Sequence, residues 1–182
     1  MKSVEEQLST YKSVHLNPTN IKTHFVGIPL IIWAIMIWLS LVELPIMTVG
    51  SFPMTLALII FPIVLIYYFL LNANLAIGQL LFFIPTLYTA TLIAQMPNAG
   101  WIAASVFFVG WVFQFIGHYY EKAKPAFVDD LNQLLIGPLF IMAELFFMLD
   151  ALKSLDKIVT KKAIEKRRTF ENNRKEPTPI EV

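Results

Sequence analysis

Between Leu44 and Tyr120 the chain carries no Asp, Glu, Lys or Arg. Extending the stretch back to Phe25 adds a single charge, Glu43. A soluble domain needs polar surface along every element, and 57% hydrophobic residues overall is above the usual share. Uncharged apolar runs of about eighteen residues or more read as membrane spans. The expected fold is therefore an all-α, polytopic membrane helical bundle, integral and multi-pass. Chemistry is expected where the uncharged block meets the charged ends.

Charge is segregated. All fourteen Lys and Arg lie outside the stretch Thr23 to Glu121, so the formal net charge of +1 says less than the distribution does. There is no cysteine, hence no disulfide framework, thiolate metal site or cysteine nucleophile. The first 24 residues are polar and lack the basic-then-apolar layout of a signal peptide. Basic residues sit in a mixed-charge tail without interleaved aromatics, which argues against nucleic acid as a partner.

Three regions are expected: an amphipathic N-terminal segment (1–24), a transmembrane bundle (25–152) and a mixed-charge cytoplasmic tail (153–182). Val4, Leu8 and Tyr11 recur at helical spacing, and Asn17-Pro18 ends that helix. Thr19 or Asn20 is a candidate cap for the next one. Four spans are predicted: Phe25–Glu43, Phe52–Leu71, Leu75–Gln95 and Ala99–Tyr120. Each is long enough to cross about 30 Å of hydrocarbon at about 1.5 Å per residue. A fifth apolar segment, Leu134–Leu149, contains Glu144. Basic flanks favour the cytoplasmic side, and nine Lys and Arg follow Asp150. Keeping them on the side of Lys2, Lys12 and Lys22 favours a re-entrant or interfacial fifth helix, with Glu144 facing protein or a wet cavity, over the alternative of a fifth full span. The tail, with its stripe Leu152, Leu155 and Val159, is read as a helix on the membrane surface or in solvent, fraying at Glu176-Pro-Thr-Pro.

The histidines are His15, His24 and His118. An even number of predicted spans separates His24 from His118, so both belong at one membrane face, and His15 precedes His24 on that side. Glu121 follows His118 by three residues and shares its helix face. Imidazoles with a carboxylate suit iron or zinc, and two His plus a carboxylate with open positions is a non-haem Fe(II) oxygenase pattern. No compact metal motif such as His-Glu-x-x-His is present. The competing reading is that interfacial histidines only bridge headgroups and loops.

Two blocks resemble a known family. One is Tyr11-Lys-Ser-Val-His15-Leu-Asn17-Pro18-Thr-Asn20-Ile-Lys-Thr-His24, followed by Gly27-Ile-Pro29. The other runs from Gly110-Trp111 through Gln114, Gly117-His118-Tyr-Tyr-Glu121-Lys-Ala-Lys-Pro125 and Asp129-Asp130 to Pro138-Leu-Phe140 and Glu144. Together they resemble the 2-hydroxy fatty acid dioxygenases of yeast and bacteria. The resemblance covers most of the chain except the tail. Asp130 stands where that family is expected to carry Asn, and Ala123 interrupts a stretch expected to be basic.

The resemblance implies an Fe(II) dioxygenase. A long-chain 2-hydroxy fatty acid reacts with O2 and becomes a fatty acid one carbon shorter, by α-oxidation. It implies His15, His24 and His118 as ligands of Fe(2+). Lys122, Lys124 and Asn20 become candidates for binding the substrate. Glu121 or Asp129 becomes a fourth ligand, a partner behind a histidine, or a base for the hydroxyl proton. Membrane lipids surround the protein, in a bacterial inner membrane or the endoplasmic reticulum, with the site on the cytoplasmic side. The alternative is a non-catalytic lipid-binding or transport bundle, although transport normally needs ionisable groups at mid-membrane and these spans carry almost none. Desaturase-type enzymes need more histidines than three.

Overall fold

A computed structural model describes residues 2–49 and 52–175. Seven α-helices account for most of them: α1 (Val4–Lys12), α2 (Pro18–Ser40), α3 (Leu56–Leu71), α4 (Ala73–Ala94), α5 (Ala99–Glu121), α6 (Gln133–Met148) and α7 (Lys153–Lys175). A 3-10 turn, Ala126–Val128, leads into α6. The helical class is as the hydropathy predicts. The expected loss of order at Glu176-Pro-Thr-Pro lies outside the described residues.

Three helices, α2, α4 and α5, are long and apolar enough to cross a membrane. Their outward side chains are apolar as well. Leu81, Trp101, Phe108 and Phe115 are all more than half exposed, joined by Ile63, Ile66 and Leu70 of α3. A surface of this kind suits lipid and not water.

The predicted span Phe52–Leu71 needs correction. Its first four residues form a strand, β2 (Phe52–Thr55), which pairs antiparallel with β1 (Glu43–Val49). Pro45 and Pro53 push the residues before them out of the α region, and Ile46, Thr48 and Val49 favour extended backbone. The helix that remains, α3, has 16 residues and a length of about 24 Å. The all-α expectation therefore gains a small hairpin at the end of α2 distant from the histidines.

The first span also shifts. Helix α2 starts at Pro18, seven residues before the predicted Phe25, and ends at Ser40. Neither Thr19 nor Asn20 caps it. Asn17 does, its Oδ1 accepting from the Thr19 N–H at 2.8 Å, with Pro18 at the first helical position where its missing N–H costs nothing. The earlier start matters because it places His24 two turns inside a rigid helix.

Helices α2 and α5 form the most extensive pair in the molecule. Glycines permit their close approach. A β-carbon at Gly27 would lie 2.7 Å from the Gly110 carbonyl oxygen, and one at Gly110 would lie 3.0 Å from that of Gly27. Small residues on facing helices let backbones close together without a hydrophobic drive between them. Helix α3 runs back toward the N-terminal end, where the Tyr67 hydroxyl accepts from Gln7 Nε2 at 3.4 Å and Tyr68 donates to the Leu135 carbonyl at 2.6 Å. Asn72 ends α3 and caps α4, its side chain accepting from Leu75 N–H, so a single residue reverses the chain.

The tail departs from expectation. Helix α7 does not present its apolar stripe to lipid or solvent; it packs along α1, burying Val159 and Ala163 completely, with Leu152 and Leu155 half-buried against the core. Glu144 faces protein, one of the two surroundings expected for it. It pairs with Lys12 of α1, and both side chains are about nine-tenths buried. The Lys12 ammonium also lies over the Phe147 ring, 5.4 Å from its centroid.

Candidate metal centre

Three elements deliver one imidazole each. His15 sits on the turn after α1, His24 in the second turn of α2 and His118 in the last turn of α5. One nitrogen from each ring lies within 4.8 Å of the others. Ring centroids are 4.5 Å (His15–His24), 4.9 Å (His15–His118) and 5.1 Å (His24–His118) apart, with the planes crossed at 77°, 68° and 83°. His15 and His24 are fully buried, whereas His118 is partly open.

Backbone carbonyls decide where the ring protons lie. His15 Nδ1 is 2.6 Å from the Tyr11 carbonyl oxygen, and His24 Nδ1 is 2.9 Å from that of Asn20. A carbonyl only accepts, so both Nδ1 atoms carry hydrogen and both Nε2 atoms are bare. Those two bare Nε2 atoms face each other at 3.0 Å. With neutral rings no proton is available to bridge them. Burial, reinforced by the adjacent His24 and His118, holds His15 well below the ordinary histidine pKa and so favours the neutral ring. Two lone pairs aimed at each other in a buried site call for a cation. Nδ1 of His118 is likewise buried with no hydrogen-bond partner. The donor set, neutral imidazoles with their outer nitrogens held by carbonyls, is the one a divalent transition metal uses.

Other sequence candidates are placed differently. No Asp or Glu joins the cluster among the described residues. The Glu121 carboxylate is buried behind the cluster. Its Oε2 accepts from the Asn17 backbone N–H at 2.7 Å and from Asn20 Nδ2 at 3.1 Å, and Oε1 lies 3.6 Å from Arg167 Nη1. Asn20 Nδ2 also donates to the Val14 carbonyl at 3.2 Å, and its Oδ1 is buried without a partner. Asp129 is exposed on the loop before α6, lining an outer crevice with Thr10, Lys124 and Arg167. Lys122 and Lys124 are exposed and line an open crevice that reaches His118 beside Tyr119 and Tyr120.

On its other side His118 lines an apolar cavity of about 340 Å³ between α2, α3, α5 and α6. Tyr11 and Gln114 share the histidine end, and Leu39 and Phe107 lie farthest from it along their helices. Residues 107 to 118 of α5 cover about 16 Å. His118 thus stands between a crevice that carries two lysines and a cavity suited to a hydrocarbon chain.

The sequence reading missed Tyr11 and Arg167. Tyr11 stacks on His15, with centroids 4.1 Å apart and planes 6° apart. Its position four residues before a histidine was the available signal. For Arg167 there was none, because its partner Glu121 lies 46 residues away.

Fold and site together define a helical protein of membrane-spanning character that gathers three imidazoles at the mouth of a lipid-sized apolar cavity. Comparison with known proteins agrees. The family described as 2-hydroxy-palmitic acid dioxygenase Mpo1-like matches residues 1–149, and the chain belongs to that family. It is 30% identical over 158 residues to the 2-hydroxy-palmitic acid dioxygenase MPO1 of Saccharomyces cerevisiae, which covers 80% of this chain and 81% of the yeast protein. No solved structure matches.

Proposed function

We propose that this chain is a non-haem, Fe(II)-dependent dioxygenase that converts a 2-hydroxy fatty acid to the fatty acid one carbon shorter at the membrane interface. The observation that carries this reading is the pair of bare Nε2 atoms of His15 and His24, 3.0 Å apart beside His118. Membership of a family described by 2-hydroxy-palmitic acid dioxygenase activity supports the substrate class. With carbon dioxide as the lost carbon, one O2 and one hydroxy acid give one shorter acid, one carbon dioxide and one water. No external reductant is needed.

His15, His24 and His118 would hold the ion. Ferrous iron supplies O2 activation and a template for an oxygen-donor substrate. The rest falls to the chain's own residues. The apolar cavity takes the acyl tail and keeps water from it. Lys122 and Lys124, in the open crevice beside His118, meet the carboxylate. Glu121 and Asn20 are committed to each other and to the backbone, so they hold the histidine-bearing turn and do not meet substrate. Asp129 is given no part in the chemistry. The cavity alone would suit a lipid-binding bundle, but such a bundle has no need of two facing lone pairs.

Four crossings fit the site. Helix α2 leaves the histidine end and α5 returns to it, so α3 and α4 must run one back and one away. Helix α6 is held at the α1 end by the Lys12–Glu144 pair, as an interfacial or re-entrant helix would be. The basic residues at both ends of the chain favour a cytoplasmic side for the site in a multi-pass membrane protein.

The test is incubation of purified protein with Fe(II), O2 and 2-hydroxypalmitate, following the acid one carbon shorter. Protein that binds no metal and forms no such product would leave the lipid-binding alternative standing.

A further inference from the structure

We propose that the C-terminal helix α7 is part of the metal centre's support, with Arg167 as a positioning residue. This rests on the reading of the three histidines as a metal site. Arg167 Nη2 donates to the Glu121 carbonyl at 3.3 Å, and Nη1 faces the Glu121 carboxylate at 3.6 Å. The same carboxylate receives the Asn17 N–H and the Asn20 amide. Asn20 in turn offers its carbonyl to His24 Nδ1 and its amide to the carbonyl of Val14, next to His15. Glu121 itself closes the helix that carries His118. One carboxylate therefore ties together the backbone around all three rings, and the only Lys or Arg ion-paired with it among the described residues is Arg167.

Burial makes that cation matter. The side chains of Arg167 and Glu121 are 16% and 3% exposed. Removing one partner of a buried pair leaves the other charge uncompensated, which is the costly case. A second handle lies beside the first. Lys166 donates to Glu6 Oε1 at 2.5 Å and to Thr10 Oγ1 at 2.6 Å, holding α1 next to Tyr11. Adjacent residues of α7 thus grip α1, which leads into the His15 turn, and the end of α5, which carries His118. Helix α7 lies beyond residue 149, where the family match ends.

The experiment uses the full chain in detergent, stripped of metal, in wild-type form and as Arg167→Ala, Arg167→Lys, Glu121→Gln and Arg168→Ala. Two readouts are taken: Co(II) titration followed by its visible bands, and amide hydrogen exchange over residues 13–24. Arg167→Ala should weaken Co(II) binding by about tenfold or more, the usual cost of losing a group behind the ligands. It should also speed exchange at Asn17 and its neighbours. Arg167→Lys should recover part of both effects, and Glu121→Gln combined with Arg167→Ala should be no worse than the worse single variant. Arg168→Ala, on the exposed side of the same helix, should match wild type. Wild-type affinity and exchange in Arg167→Ala would overturn the proposal. If wild-type protein takes up no Co(II), the metal reading fails first. The clamp is then judged by exchange alone, where no change in Arg167→Ala sinks it.

Discussion

Tyr11 holds His15 twice: its ring lies parallel on the imidazole, 4.1 Å between centroids, and its carbonyl accepts the Nδ1 proton at 2.6 Å. The backbone contact survives any substitution at Tyr11, but the stack does not. Tyr11→Ala should lose about 3–5 kcal/mol of stability, as expected for a buried aromatic truncated to alanine. It should also weaken metal binding, because the ring that sets the tilt of His15 is gone. Tyr11→Phe keeps the stack and should retain metal within about twofold, well under 1 kcal/mol. Thermal unfolding and Co(II) titration of the two variants separate ring from hydroxyl.

Gly117 faces the histidine-bearing helix with no room to spare. A β-carbon there would lie 2.3 Å from both Asn20 Oδ1 and Thr23 Oγ1 and 3.1 Å from His24 Nδ1. Gly117→Ala should therefore displace the start of α2, costing about 1–3 kcal/mol and most of the metal affinity. Gly100 near the other end of α5 is the control, since its nearest neighbour would be 3.8 Å away. Gly100→Ala should be neutral or stabilising by up to about 1 kcal/mol through helix propensity. Equal losses in both variants would argue that helix α5 is sensitive throughout and that the contact at Gly117 has no special part.

Lys12 and Glu144 form a buried pair that joins α1 to α6. Breaking one side is expected to be severe: Lys12→Met or Glu144→Leu should each cost about 3–5 kcal/mol. Replacing both at once removes the unpaired charge, so the double variant should be more stable than either single one. Neither side chain belongs to the imidazole cluster, and the Lys12 carbonyl that accepts the His15 N–H at 2.9 Å is kept by any substitution, so the double variant should keep the ability to bind metal. Unfolding curves for the cycle, with metal content measured on each variant, check both statements.

The helical bundle was legible because its signal is compositional: no charge from Leu44 to Tyr120 admits few other folds. The convergence of His24 and His118 was expected from the parity of the predicted spans, and the two rings do meet. The hairpin was not, because Pro45, Thr48, Val49 and Pro53 sit inside an apolar run whose hydropathy is the same for strand and helix. Glu121 was noticed for its spacing from His118, yet its spacing could not say that Asn17, Asn20 and Arg167 would occupy it. Pairings between distant polar residues leave no periodic trace. The same blindness made α7 look like a surface helix, when its Lys166 and Arg167 reach back to α1 and α5.

The apolar cavity sets the final expectation, about which acids are accepted. Its lining runs along α5 from His118 to Phe107 and along α2 from Ile28 to Leu39. That span is about 16 Å. A zigzag chain of carbon–carbon bonds near 1.5 Å advances about 1.25 Å per methylene, so about thirteen carbons fit below the head group. Leu39 and Phe107 lie at the far end, away from the three histidines and from the turn that carries His15. Leu39→Trp should shorten the usable length by filling that end with an indole, while metal binding stays as in wild type. Given a mixture of short, medium and long 2-hydroxy acids, the variant should turn over the long ones several-fold more slowly and the short ones at the wild-type rate, as read from the distribution of shortened products. A uniform loss across all lengths would mean that the tail lies elsewhere, along the outer lipid-facing surface, and that the cavity does not receive it.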